Sequence, residues 1–164
     1  MKYLVISIIA VCLLASCHSK EKSIAEQTLT AVQENTPGTI PAKEGGWTMR
    51  AKMQGKDWVA TSFMPPEATG KIIGYYNNES ISLPYNRSKM VTGTKIEFGE
   101  HNAVDLLTND DIAIWGGRKG EMEITKADDQ WAEGVFHFTG SSSRSDKTIE
   151  VTDGFFRISL AQHP

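Results

Sequence analysis

Cysteine is nearly absent from this 164-residue chain: Cys12 lies inside an N-terminal apolar run and Cys17 just after it. With both accounted for there, the rest of the chain has no thiol for a disulfide, a zinc cluster or a cysteine nucleophile. Histidine is scarce too. His18, His101, His137 and His163 show no His-x-His or His-Glu-x-x-His spacing, so neither a zinc site nor a histidine-based acid–base centre is indicated. No run of basic residues occurs and the formal net charge is −3, which argues against nucleic acid as a partner. No second long apolar segment follows the first, and no repeat of solenoid or propeller period is present.

Other motifs fail on spacing. Gly140-Ser141-Ser142-Ser143 leads into Arg144 rather than a glycine, so it is no nucleophile elbow. Gly116-Gly117-Arg118-Lys119-Gly120 lacks the spacing of a phosphate-binding loop and reads as a hairpin turn. Asp110-Asp111 and Asp128-Asp129 lack the spaced acidic pattern of a calcium loop and read as solvated turns, so no metal or other cofactor is expected.

What is present begins with Lys2 and an apolar run of about 13 residues, Tyr3 to Ala15, interrupted by Ser7. A bilayer needs roughly 20 such residues, so the run is too short to span one. A charged start, a short apolar core and small residues at its end describe a secretory signal. Leu14-Ala15-Ser16-Cys17 resembles a bacterial lipobox, predicting cleavage before Cys17 and acylation of its thiol and amine. Two or more acyl chains anchor stably where one does not. Losing Lys2 takes the net charge to −4. Residues 1–16 are thus expected to be a signal peptide, 17–46 a lipidated tether and 47–164 a domain. The tether holds no aromatic residue and ends in Pro37-Gly38, Pro41 and Gly45-Gly46. Ser23 and Glu26 have capping-box spacing, but a helix this short is marginal in water.

From Trp47 the aromatics return and residues alternate. Trp47, Met49, Ala51 and Met53 share one face, opposite Thr48, Arg50 and Lys52. Gln54-Gly55-Lys56-Asp57 is turn material before a strand at 58–62, which Pro65-Pro66 ends. Strands at 71–76 and 80–83 flank Asn77-Asn78-Glu79, and 87–93 reads as loop. Shorter strands follow at 94–98, 104–107 and 112–115. Strands at 121–125 and 131–139 form a hairpin, and 140–146 reads as a loop. Strands at 148–152 and 155–160 follow, with Asp153-Gly154 as a turn or bulge between them. The pattern predicts an all-β domain without a helix, an antiparallel β-sandwich or small β-barrel of about 8–10 short strands.

Four segments, in order, are similar to an uncharacterised group of Bacteroidota lipoproteins, a domain of unknown function: Met53-Gln-Gly-Lys-Asp-Trp-Val-Ala60, Gly120-Glu-Met-Glu-Ile-Thr-Lys126, Glu133-Gly-Val-Phe-His-Phe138 and Ile149-Glu-Val-Thr-Asp-Gly-Phe-Phe156. The resemblance implies an all-β envelope domain and brings no catalytic residues with it. Asn86 to Asp111 departs from the pattern.

Cys17 is the expected lipidation site. Tyr75, Tyr76, Trp115 and Arg118 sit at strand ends beside loops, where they could stack on a glycan or pack on an envelope protein, or simply pack the core. His137 alternates with Phe136 and Phe138 and should face solvent. The expectation is a lipid-anchored envelope lipoprotein, in the outer membrane because His18-Ser19 lacks an Asp-type retention signal. Its β-domain would be non-enzymatic and serve binding or assembly. The alternatives are a small-barrel carrier of an apolar ligand and an envelope-polymer hydrolase, which would need converging carboxylates.

Overall fold

A computed structural model of the protein describes residues 40–41, 46–109 and 114–161. The expected signal peptide, Cys17, most of the expected tether, Asp110-Asp111 and His163 lie outside the described residues. The domain is all-β and antiparallel, as the alternation requires. Its eleven described strands belong to one curled sheet rather than to two packed layers.

In chain order these are β1 (Ile40–Pro41), β2 (Thr48–Met53), β3 (Lys56–Val59), β4 (Ser62–Met64), β5 (Lys71–Tyr76), β6 (Glu79–Pro84), β7 (Lys95–Glu97), β8 (Val104–Leu107), β9 (Ile114–Ala127), β10 (Trp131–Ser142) and β11 (Thr148–Ser159). Across the sheet they run β1-β4-β5-β6-β8-β9-β10-β11-β2-β3, with β7 also against β9. β3, at one margin, and β4, next to β1 at the other, are separated only by Ala60 and Thr61. Ala60 N–H donates to the Met49 carbonyl in β2 (2.9 Å), and Thr61 N–H donates to the Tyr75 carbonyl in β5 (2.8 Å). The chain therefore changes partners from one end of the sheet to the other within two residues, which brings the curl back on itself.

The inner face is continuous core. Trp47, Phe63, Phe138, Phe156, Met49, Ile72, Ile81, Leu83, Leu106, Met122, Ile124 and Ile158 are all fully buried. Trp47 packs on Phe63 (5.5 Å between ring centroids), and Phe138 is edge-on to Phe98 (6.1 Å). Each such side chain contributes on the order of 1.5–3 kcal/mol, which is how a domain without a thiol is held.

Several expectations are corrected. β1 pairs with β4, so the sheet reaches into the segment expected to be tether. The 116–120 stretch is no hairpin turn; it runs through the interior of β9, which has β8 and β7 on one side and β10 on the other. Gly140 and Ser141 belong to β10, not to a loop, and the two C-terminal strands are one, β11. The turn after β2 is only Gln54-Gly55, because Lys56 and Asp57 already pair with Met53 and Lys52. The expected strand stop Pro84 is the last residue of β6. A helix exists after all: α1 (Pro66–Thr69), a single turn started by proline and closed by Gly70 at φ 67°. Within 87–93, Arg87–Lys89 form a 3₁₀ turn capped by the Asn86 side chain, which buries Met90.

Candidate binding groove

β9, β10 and β11 are 14, 12 and 12 residues long, about twice the usual strand. Directly paired residues share a face, so the register fixes an outer row across six strands: Lys95, Glu123, Val135, Phe155, Arg50 and Val59. The neighbouring row carries Glu121 opposite His137, and Thr152 opposite Lys52. Between these, Asp153 takes a left-handed conformation (φ 51°) in a bulge where β11 slips register against both β10 and β2. A bulge bends its strand and re-aims side chains. Here it opens a groove of about 620 Å³ whose lining includes Arg50, Glu121, Glu123, Val135, His137 and Phe155.

Val135 is 44% exposed and Phe155 half-buried, giving the groove an apolar floor. Its walls differ in charge. On the β9 side, Glu121 and Glu123 share one ammonium, Lys95, at 3.7 and 3.3 Å; Glu123 and Glu121 raise the Lys95 pKa. On the other side Lys52 bonds Asp153 at 2.8 Å, holding the Asp153 carboxyl below its usual range and raising the lysine. Arg50 lies over the Phe155 ring, 5.2 Å from its centroid, and forms no ion pair among the described residues. The Arg50 guanidinium also acts through space on the Asp153 carboxyl, and with no close ion pair its fork of donors is open to a further anionic group.

The four aromatic and basic residues singled out from sequence do not form one site. Tyr75 lies in an outer row with Ser62, Ser80, Leu107 and Ile114, and burial pushes its hydroxyl above the ordinary value. Tyr76 is exposed at the end of β5. Trp115 pairs with the buried Leu106 and is itself only 8% exposed, its indole N–H donating to Thr108 Oγ1 at 3.0 Å. That ring is committed to the core rather than to stacking a ligand. Arg118 is the extra residue of a bulge in β9 opposite Thr139 and Gly140. His137 is exposed, as its alternation indicates. Sequence reasoning missed Arg50, Val135 and Phe155 as a group. Alternation places each on the outer face, but only the register of β2 with β11 brings them together.

A second groove, about 300 Å³, is lined by Lys71, Tyr85, Asn86, Lys89, Glu100 and His101 among others. Lys71 is ion-paired with Asp105 beside it, and Tyr85 donates to Glu67 at 3.1 Å. Burial pushes the Tyr85 hydroxyl up to about 12. Among the described residues no three His, Cys, Asp or Glu side chains are grouped to hold a metal ion.

No protein-family model, curated protein or solved structure matches the chain.

Proposed function

We propose that the protein is a lipid-anchored envelope lipoprotein, held in the outer membrane by acyl chains on Cys17, whose β-domain binds a partner non-enzymatically through the groove over Val135 and Phe155. The observation that carries the binding half is the exposed apolar floor between charged walls. Exposed apolar area framed by polar residues is the usual composition of a recognition surface. The anchor half rests on Leu14-Ala15-Ser16-Cys17, and the likeness to Bacteroidota lipoproteins is in keeping with it.

The alternative of an internal apolar carrier is disfavoured, because Trp47, Phe63, Phe138 and Phe156 occupy the interior such a ligand would need. The hydrolase alternative needs one carboxyl pushed up to serve as a proton donor. In the groove Asp153 is instead pulled down by Lys52, and Glu121 and Glu123 face Lys95.

Fractionation of cells expressing Cys17→Ala tests the anchor: the variant is expected in the soluble fraction, and unchanged membrane retention would refute lipidation. Cross-linking and pull-down from detergent-solubilised envelope tests the groove. Val135→Glu is expected to lose the captured envelope protein or glycan while keeping the wild-type circular dichroism spectrum. Capture undiminished by that change would move the binding face elsewhere.

A further inference from the structure

The two walls of the groove do not carry the same charge, and this asymmetry points to a ligand with opposite charges at its ends. On one wall two carboxylates, Glu121 and Glu123, share one ammonium, which leaves negative charge in excess. On the other, Lys52 bonds Asp153 with Asp57 also near the ammonium, and Arg50 stands beside that pair, within electrostatic reach of Asp153 but in close ion-pair contact with no carboxylate among the described residues. Arg50 and Glu123 occupy the same cross-strand row with Phe155 and Val135 between them. Three strand spacings separate their backbones by about 14 Å. An extended chain advances roughly 3.3–3.6 Å per residue, so about four residues span that gap. The groove's volume of about 620 Å³ falls within the roughly 300–1,000 Å³ of small-ligand sites.

We infer that the groove binds a short extended peptide with free ends, its carboxylate on Arg50, its ammonium against Glu121 and Glu123, and its middle over Val135 and Phe155. The inference rests on the binding reading of this groove and adds the ligand's chemistry and direction. A guanidinium fork takes a carboxylate by two parallel hydrogen bonds, whereas a lysine would offer only a point charge. The opposite wall needs no fork, because an ammonium has three donors for two carboxylates. A ligand laid the other way would set its carboxylate against Glu121 and Glu123 and its ammonium against Arg50. Its direction is thus fixed by repulsion as well as by attraction.

The test is calorimetric titration of the full-length, detergent-solubilised protein with the tetrapeptide Ala-Leu-Ala-Ala, with its N-acetylated form and with its C-amidated form. The free peptide is expected to bind, and capping either end to weaken binding roughly tenfold. Arg50→Gln is expected to abolish the penalty for amidation while keeping that for acetylation. Glu121→Gln with Glu123→Gln is expected to do the reverse. Affinity indifferent to both caps, or variants that lose both penalties together, would overturn the inference. So would absence of binding at millimolar free peptide. If the peptide fails to bind while Val135→Glu still abolishes capture of an envelope partner, the peptide ligand is wrong and the groove remains the binding face.

Discussion

The indole of Trp115 shows how a single side chain's environment decides its role. Trp115 and Thr108 are both less than a tenth exposed, and the 3.0 Å bond between them is the partner the indole N–H needs once it leaves water. Thr108→Val keeps the shape and removes the acceptor. A buried donor left unmatched costs about 1–3 kcal/mol, so the urea midpoint should fall with little change in the slope of the transition. Thr108→Ser retains the oxygen and should recover part of that loss. A Thr108→Val protein as stable as wild type would mean that another acceptor takes the bond. The sequence shows an aromatic residue next to glycines and cannot say which way it points, because pairing with Leu106 decides that. Arg50 and Phe155 pose the same difficulty. Each is legible as outward-facing, yet their stacking depends on two strands about a hundred residues apart in the chain.

Among the elements, hairpins with a chemical signal at the turn were readable and long strands with interior glycines were not. Asp128 marks the β9–β10 turn because its carboxylate accepts the backbone N–H groups of Gln130 (2.8 Å) and Trp131 (2.7 Å). Those two bonds hold its carboxyl below the ordinary aspartate value. The folded pKa lies below the unfolded one, so the stabilisation is fully present above the unfolded value near 4 and is lost as pH falls through the folded value. Asp128→Asn keeps the acceptor oxygen and removes the charge. Its unfolding midpoint should therefore depend less on pH below about 4 than that of the wild type, with Asp153 supplying part of the remaining dependence. Identical acid profiles would show that the turn's bonds persist without the charge. The stretch at 116–120 misled for the opposite reason. Its glycines suggest a turn, but a Cβ on Gly117 would lie 2.2 Å from Val104 and 2.8 Å from Phe138. That glycine makes room for packing, and no local pattern distinguishes room from flexibility.

At the scale of the whole molecule, the all-β class was legible from alternation, whereas the single curled sheet depends on contacts between distant segments. β11 pairs with β2, and Lys52 reaches Asp153 across 101 positions. The curl turns back at Ala60 and Thr61, where the chain leaves β2 and joins β5. Gly74 in β5 faces this junction, and a Cβ there would lie 2.9 Å from Ala60 Cβ and 3.1 Å from Met49 Sδ. Ala60 Cβ is tied to backbone and cannot swing aside, so Gly74→Ala must push β5 away from the β2–β3 margin. Overpacking of this kind costs about 1–3 kcal/mol. Ala60→Gly removes the opposing methyl and carries its own smaller cost from backbone freedom. In the double variant the clash disappears, so its destabilisation should be less than the sum of the two single changes. The coupling energy from a denaturant double-mutant cycle measures this directly. Additive values would mean that β5 and the β2–β3 margin do not press together at Gly74, and the inward curl drawn from the Ala60 and Thr61 hydrogen bonds would have to give way to a flatter sheet.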